Sequence, residues 1–218
     1  IFSSGSTGVP KGVCLTHHNI LSNTESLTQV FNVTREDRIV GALPFFHSFG
    51  YTATIWFPVL GGFMALYHVS PMDSKVIGSL LREWKGTLLL STPTFYQAYL
   101  RRFSPEDLEH LRIAVSGAEK LKPALSEAWQ ERFGMPIFEG YGCTELSPVV
   151  SLNLPDFENE DIRQTWHKPG TIGHPLPGIA ARIVSPESEE DLSFGEEGLL
   201  LIKGHNEMPS YNDRPALT

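Results

Sequence analysis

Apolar residues recur at three- and four-residue intervals in several stretches of this chain, with short unbroken apolar runs between them, and this alternation predicts helices separated by buried strands. Thr16 stands where an N-cap is needed, and Ile20, Leu27 and Phe31 then fall on one stripe, which predicts a helix up to Phe31. Asp73 opens a second helix, with Val76, Ile77, Leu80, Leu81 and Trp84 at helical spacing and Gly86 as its stop. Residues 87–91 read as a short buried strand, and Thr92-Pro93 starts a third helix carrying Phe95, Tyr96 and Tyr99. Residues 112–116 make the next strand, Lys122-Pro123 begins a helix through Phe133, and Gly134 ends it. Pro136-Ile137-Phe138 is one more apolar strand. Strand and helix in such regular order predict an α/β fold, a mostly parallel sheet flanked by helices with right-handed crossovers. Ligand sites in sheets of this kind lie beyond the carboxyl ends of the strands.

After about Pro155 the pattern changes. Residues 156–168 are polar and without clear period, proline and glycine crowd 169–178, and residues 181–184 and 199–202 read as strands around an acidic, turn-rich stretch. The expected division is therefore an α/β unit over 1–165, followed by a smaller β-rich section over 166–218.

Composition narrows the function classes without finding one. With 218 residues and 41% hydrophobic content the chain can bury a substantial core. It has no apolar run long enough to cross a bilayer and no signal-peptide pattern, so a cytoplasmic protein is expected. A formal charge of −8 argues against nucleic acid as a partner. Cys14 and Cys143 are too few for a disulfide framework.

Two separated stretches carry candidate chemistry. Ser3-Ser4-Gly5-Ser6-Thr7-Gly8-Val9-Pro10-Lys11-Gly12 gathers small and hydroxylated residues around glycines and ends on a lysine. Its backbone N–H groups and the Ser4, Ser6 and Thr7 hydroxyls suit a polyphosphate, glycine allows close approach, and Lys11 adds a mobile charge. An ordinary P-loop needs its lysine to be followed by Ser or Thr and a helix, and here Gly12-Val13 follows. A flexible surface loop is the bland alternative for such a run. The second stretch, Gly140-Tyr141-Gly142-Cys143-Thr144-Glu145, offers Glu145 as a hard oxygen ligand for magnesium and Thr144 as a hydroxyl near phosphate. Tyr141 supplies a flat ring for adenine, with a packed core tyrosine as its alternative.

In order and spacing, the chain resembles the AMP-forming adenylating superfamily of acyl-CoA synthetases, peptide-synthetase adenylation domains and luciferases. Residues 2–13 are similar to its phosphate-binding signature and 140–145 to its second signature. Pro44-Phe45-Phe46-His47-Ser48-Phe49-Gly50 resembles the P-x-x-H-x-x-G segment bordering the acyl site, and Ser116-Gly117-Ala118-Glu119-Lys120-Leu121 the stretch that lines adenine. Gly170-Thr171-Ile172-Gly173-His174-Pro175-Leu176-Pro177-Gly178 matches G-x-x-G-x-P-x-P-G, and Gly195-Glu196-Glu197-Gly198-Leu199 begins a region ending in Tyr211-Asn212-Asp213-Arg214-Pro215. At closer range the residues around 43–50, 118–121 and 139–150 look like bacterial acyl-acyl carrier protein synthetases.

The resemblance implies an ATP-dependent fatty-acid ligase that forms acyl-AMP and pyrophosphate and passes the acyl group to a thiol, on coenzyme A or on the phosphopantetheine of an acyl carrier protein. ATP and Mg2+ are the implied cofactors. Ser4, Gly5, Ser6, Thr7, Gly8 and Lys11 would hold the outer phosphates, Thr144 would touch phosphate, and Glu145 would bind the metal. Gly117, Ala118, Glu119, Tyr141 and Gly142 would surround the adenine, and Lys11, Thr144 and Glu145 form the catalytic set. Phe46, His47, Gly50, Tyr51 and Gly140 would border the acyl group, with a core aromatic cluster as the alternative. No aspartate stands nearby to fix an amino group, which tilts away from amino acids. An adenylating enzyme for another carboxylate, aryl or amino acid, and a nucleotide-binding module without catalysis remain as alternatives. The start at Ile1 and the end before the family's ribose-binding aspartate, hinge and C-terminal lysine read as an internal piece, expected to be nearly inactive alone. The relatives' frequent fusion to a lysophospholipid acyltransferase suggests a parent protein on the inner face of the membrane.

Overall fold

The structure is a computed structural model that describes residues 1–3, 9–159 and 161–218. Strands β1 (Phe2–Ser3) and β2 (Lys11–Cys14) pair antiparallel, and the chain then enters helix α1 (His17–Phe31). Thr16 caps α1 through a capping box, its hydroxyl accepting from the Asn19 N–H while the Asn19 side chain accepts from Thr16 N–H at 2.9 Å. Strand β3 (Arg38–Gly41) leads to a short helix α2 (Ser48–Gly50), a π-helical segment (Tyr51–Trp56), helix α3 (Phe57–Gly61) and strand β4 (Met64–Tyr67). Helix α4 (Ser74–Glu83), strand β5 (Leu88–Ser91), helix α5 (Pro93–Arg102), strand β6 (Ile113–Ser116), helix α6 (Pro123–Phe133) and strand β7 (Ile137–Gly142) follow in alternation. Strand β8 (Val149–Leu152) returns antiparallel along β7.

A seven-stranded sheet forms the middle layer, in the order β11-β8-β7-β6-β5-β3-β4, where β11 is His174–Pro175. The five strands β4, β3, β5, β6 and β7 run parallel, as the alternation of elements predicts. Their side chains alternate between two cores, the period-two signature of strands buried on both faces. Ile39, Leu88, Leu90, Ile113, Val115 and Phe138 face the core shared with α1 and α3, while Val40, Leu89, Ala114 and Ile137 face the core shared with α4, α5 and α6. Tyr96, Tyr99 and Trp129 fill the second core at 0–1% exposure.

Local details depart from the expected pattern where packing overrides it. Val76 and Trp84 lie 40% and 49% exposed, because Ile77 and Leu81 suffice to cover the sheet. The left-handed residue after α4 is Lys85 (φ 52), not Gly86; a Cβ on Gly86 would stand 2.7 Å from a Leu81 methyl, so that glycine serves packing. Strands β3 and β4 and helix α3 escape the sequence reading because each is too short to show a period.

Residues beyond 155 form a hairpin of β9 (Phe157–Glu158) with β10 (Arg163–Gln164), the edge strand β11, and a second hairpin of β12 (Ile179–Val184) with β13 (Leu199–Gly204). Strand β14 (Ser210–Tyr211) then pairs with β2, opposite the chain's first strand. The late residues are thus sewn to the early ones at two places.

Candidate active site

A cavity of about 620 Å³ opens beyond the carboxyl ends of β5, β6 and β7. Parallel strands end there on one edge, and β8 and α1 close its sides. Its floor is apolar and belongs to the core: Leu27 and Phe31 from α1, Leu90 from β5, Val115 from β6 and Leu152 from β8. Its rim carries Lys11, His47, Ser48, Tyr141, Thr144 and Glu145.

Of the candidate residues, Lys11, Phe46, His47, Gly117, Ala118, Gly140, Tyr141, Gly142, Thr144 and Glu145 all line this one cavity. Ser4, Gly5, Ser6, Thr7 and Gly8 lie outside the described residues. Gly50, Tyr51 and Glu119 lie outside the lining. Gly50 is buried in helix α2 with the Pro44 carbonyl 2.2 Å from where a Cβ would stand, so its lack of a side chain lets the preceding loop close. Tyr51 packs edge-on against Trp56, and the Glu119 carboxylate accepts from the Thr94 hydroxyl at 2.7 Å.

Gly140-Tyr141-Gly142 continues strand β7 and does not form a loop after it; the turn begins at Thr144–Leu146, a single 3-10 turn. A Cβ on Gly142 would meet the Pro148 carbonyl at 2.0 Å, so only glycine allows β8 to return this closely. The segment after Lys11 is the strand β2, not the helix that a P-loop lysine would open.

Side-chain contacts organise the rim. Lys11 Nζ donates to the Tyr211 phenol oxygen at 3.4 Å and sits 4.6 Å from the centre of that ring. The Tyr211 hydroxyl donates in turn to Glu145 Oε1 at 2.7 Å. Burial first, and the Glu145 carboxylate second, push the Tyr211 phenol up to about 12, so it keeps its proton at neutral pH. The Ser48 and Thr144 hydroxyls lie 3.1 Å apart and join the segment after β3 to the turn after β7.

His47 caps α2 with its ring: Nδ1 accepts from the Phe49 N–H at 3.2 Å. That bond requires the neutral tautomer with its proton on Nε2. Burial lowers the His47 pKa in the same sense. Burial, then the neighbouring Cys143 and Glu145, raise the Tyr141 phenol. The Cys143 thiol is pushed up to about 11 by burial and then by Glu145, which leaves it protonated and a poor nucleophile. Ala118 holds φ 68 where the chain leaves β6, a left-handed conformation that costs an alanine energy and lies on the cavity wall.

Among the described residues no group of three His, Cys, Asp or Glu side chains gathers as a metal cage. Glu145 is the one carboxylate among the described lining residues. One carboxylate on a rim suits Mg2+, which is commonly held by one or two carboxylates with phosphate oxygens and water completing the shell.

Sequence reasoning quoted Ser48 and Tyr211 within motifs but gave them no role, and it missed Asn23. Asn23, 1% exposed on α1, donates to the Val149 carbonyl at 2.6 Å and accepts from the Val149 N–H at 3.2 Å, which fixes β8 beside the cavity. Asn23 falls on the apolar stripe, three residues after Ile20 and four before Leu27, but helical spacing names a face and not the strand that a polar residue there will pin.

Comparison with known proteins agrees with the motifs. A family model described as AMP-binding enzyme matches residues 1–212. The chain is 33% identical over 225 residues to a long-chain-fatty-acid–CoA ligase of Bacillus subtilis, covering 100% of itself and 38% of that protein. It is 35% identical over 224 residues to a probable 4-coumarate–CoA ligase 1 of Dictyostelium discoideum, covering 100% of itself and 39% of that protein. The ATP-bound crystal structure of MatB from Rhodopseudomonas palustris aligns with a TM-score of 0.87 at 29% identity, over 100% of this chain and 41% of that one. The chain spans less than half the length of each.

Proposed function

The chain belongs to the family of AMP-binding enzymes, and from that membership we propose that it carries the nucleotide- and acid-binding part of an AMP-forming acid–thiol ligase acting on fatty acids. One observation carries this reading: a single cavity joins a rim of Lys11, Thr144 and Glu145 to a floor of buried apolar side chains.

A free carboxylate is a poor acyl donor because its leaving group would be oxide. Attack of a carboxylate oxygen on the α-phosphorus of ATP expels pyrophosphate and leaves a mixed anhydride, which a thiol can then open. Both reactants are anions, so the protein must cancel charge and hold them in line. Lys11 supplies a positive charge on the rim for the outer phosphates, and Thr144 offers a hydroxyl to phosphate. Glu145 would hold Mg2+, which supplies charge neutralisation on the phosphates when bound. A Cβ on Gly140 would stand 3.0 Å from a Leu152 methyl of the floor, so glycine leaves that space open, and the Nε2–H of neutral His47 offers a donor on the cavity lining. The floor of Leu27, Phe31, Leu90, Val115 and Leu152 favours an alkyl or aryl tail over a charged one.

The names of the relatives, acid–CoA ligases for fatty and coumaric acids, support coenzyme A as the acceptor; a carrier-protein phosphopantetheine presents the same thiol chemistry. ATP–pyrophosphate exchange by the full-length protein that contains this chain, driven by a panel of acids, tests the substrate. Fatty acids should drive exchange, and Glu145→Gln should lower it at least tenfold, as expected for loss of a charged metal ligand. Exchange driven only by aryl or amino acids would replace the fatty-acid reading, and ATP binding with no response to any acid would point to a nucleotide-binding module. Acyl transfer to coenzyme A against transfer to a loaded carrier protein identifies the acceptor.

A further inference from the structure

Tyr211 lies far along the chain from both signatures, yet its hydroxyl stands between their two charged residues. It receives a hydrogen bond from Lys11 Nζ at 3.4 Å and gives one to Glu145 Oε1 at 2.7 Å. We propose that Tyr211 is a positioning residue of the site, a neutral bridge that fixes the Lys11 ammonium and the Glu145 carboxylate relative to each other, where they would hold the phosphates and Mg2+. The inference rests on the roles given above to Lys11 and Glu145.

The register explains why this residue can do so. Tyr211 pairs with Val13 across β14 and β2, and Lys11, two residues before Val13, projects on the same face as its diagonal neighbour. Three contacts then tie the segment before β14 to the turn that carries Glu145. Met208 N–H donates to the Glu145 carbonyl at 2.8 Å, the Ser147 hydroxyl to the Asn206 carbonyl at 2.8 Å, and Asn206 Nδ2 to the Leu146 carbonyl at 2.6 Å. The Asn212 N–H bonds the Gly12 carbonyl at 2.7 Å on the other side. The ring is therefore clamped between the two signatures.

The chemistry of the bridge favours a phenol. A direct Lys11–Glu145 ion pair would have to be broken before the ammonium could meet phosphate and the carboxylate could meet the metal. The phenol instead hydrogen-bonds one carboxylate oxygen without neutralising the charge by which Glu145 would hold Mg2+, and keeps the ammonium over its ring.

Tyr211→Phe keeps the ring and removes the hydroxyl. Calorimetry with ATP alone and with Mg2+ and ATP together, beside a melting curve, separates positioning from packing. The native protein should bind ATP more tightly when Mg2+ is present. The variant should melt within a few degrees of the native protein and lose roughly tenfold of that Mg2+-dependent gain, the size expected for one hydrogen bond to a charged group. A folded variant with an unchanged gain overturns the proposal. If the native protein binds ATP with no response to Mg2+, the reading of Glu145 fails instead, and that result is distinguishable because it needs no variant. Should Tyr211→Phe unfold, 3-fluorotyrosine placed at 211 takes over: its fluorine resonance should move when Mg2+ and ATP are added together and not with ATP alone, and a resonance indifferent to both overturns the proposal.

Discussion

Asp37 illustrates how much a single buried charge decides in this chain. It is 4% exposed and accepts from Arg112 twice, Nε to Oδ1 at 2.7 Å and the terminal nitrogen to Oδ2 at 3.0 Å, with Thr87 and the Thr34 N–H completing its shell. Burial alone would raise its pKa; Arg112 and the other hydrogen bonds outweigh burial and lower it. A carboxylate with a depressed folded-state pKa contributes stability above its unfolded value, near 3.9, and that contribution is lost as pH falls through the folded value. Arg112→Met should therefore cost about 3 kcal/mol at pH 7, the low end for a broken buried pair because Arg112 reaches solvent. The loss should shrink as pH falls below about 3.9 and through the lowered native value, where the folded carboxylate takes up its proton. Urea unfolding between pH 3 and 7 measures this, and equal stability of the two proteins at pH 7 would refute it. Residues of this kind are invisible in the sequence: Asp37 and Arg112 are 75 positions apart, and each alone reads as surface charge.

At the scale of elements, the chain was most legible where one face is apolar and the ends are capped. Helix α1 starts at Thr16 and stops at Phe31 as its stripe predicts, and α5 and α6 begin at the prolines that mark them. The polar positions on the buried face of α1 were not legible, because Asn19 and Asn23 face protein instead of water. Asn19 Nδ2 donates to the His205 carbonyl at 2.9 Å and the Glu207 carbonyl at 2.7 Å, while Asn23 holds Val149. Asn23→Leu, close in size, would leave the buried Val149 N–H without its acceptor and should destabilise the protein by about 2 kcal/mol. The same change should weaken ATP or acyl-adenylate-mimic binding, since β8 forms one wall of the cavity. Thermal melting with and without the ligand checks both halves, and an unchanged melting temperature would show that Val149 finds another partner.

The whole molecule closes through its last residues. Strand β14 completes the small sheet with β1 and β2, and residues 206–208 brace the turn of Glu145. Deletion of residues 205–218 should therefore lower the melting temperature and reduce ATP binding sharply, although the seven-stranded sheet keeps all its strands. Retained ATP affinity in the truncated chain would contradict the bracing role.

By itself the sequence determined the α/β class, the order of the major helices and strands, and the two signatures at whose meeting point a nucleotide and an acid are expected. These are local properties, set by periodicity, caps and short motifs whose residues act within one turn or one strand. Only the tertiary structure decided which signature residues meet, that Gly50, Tyr51 and Glu119 stand outside the cavity wall, and that Tyr211 joins Lys11 to Glu145. The physical reason is that those contacts depend on strand register and sheet order. Pairing β14 with β2 brings together residues 200 positions apart, and no local pattern encodes that pairing.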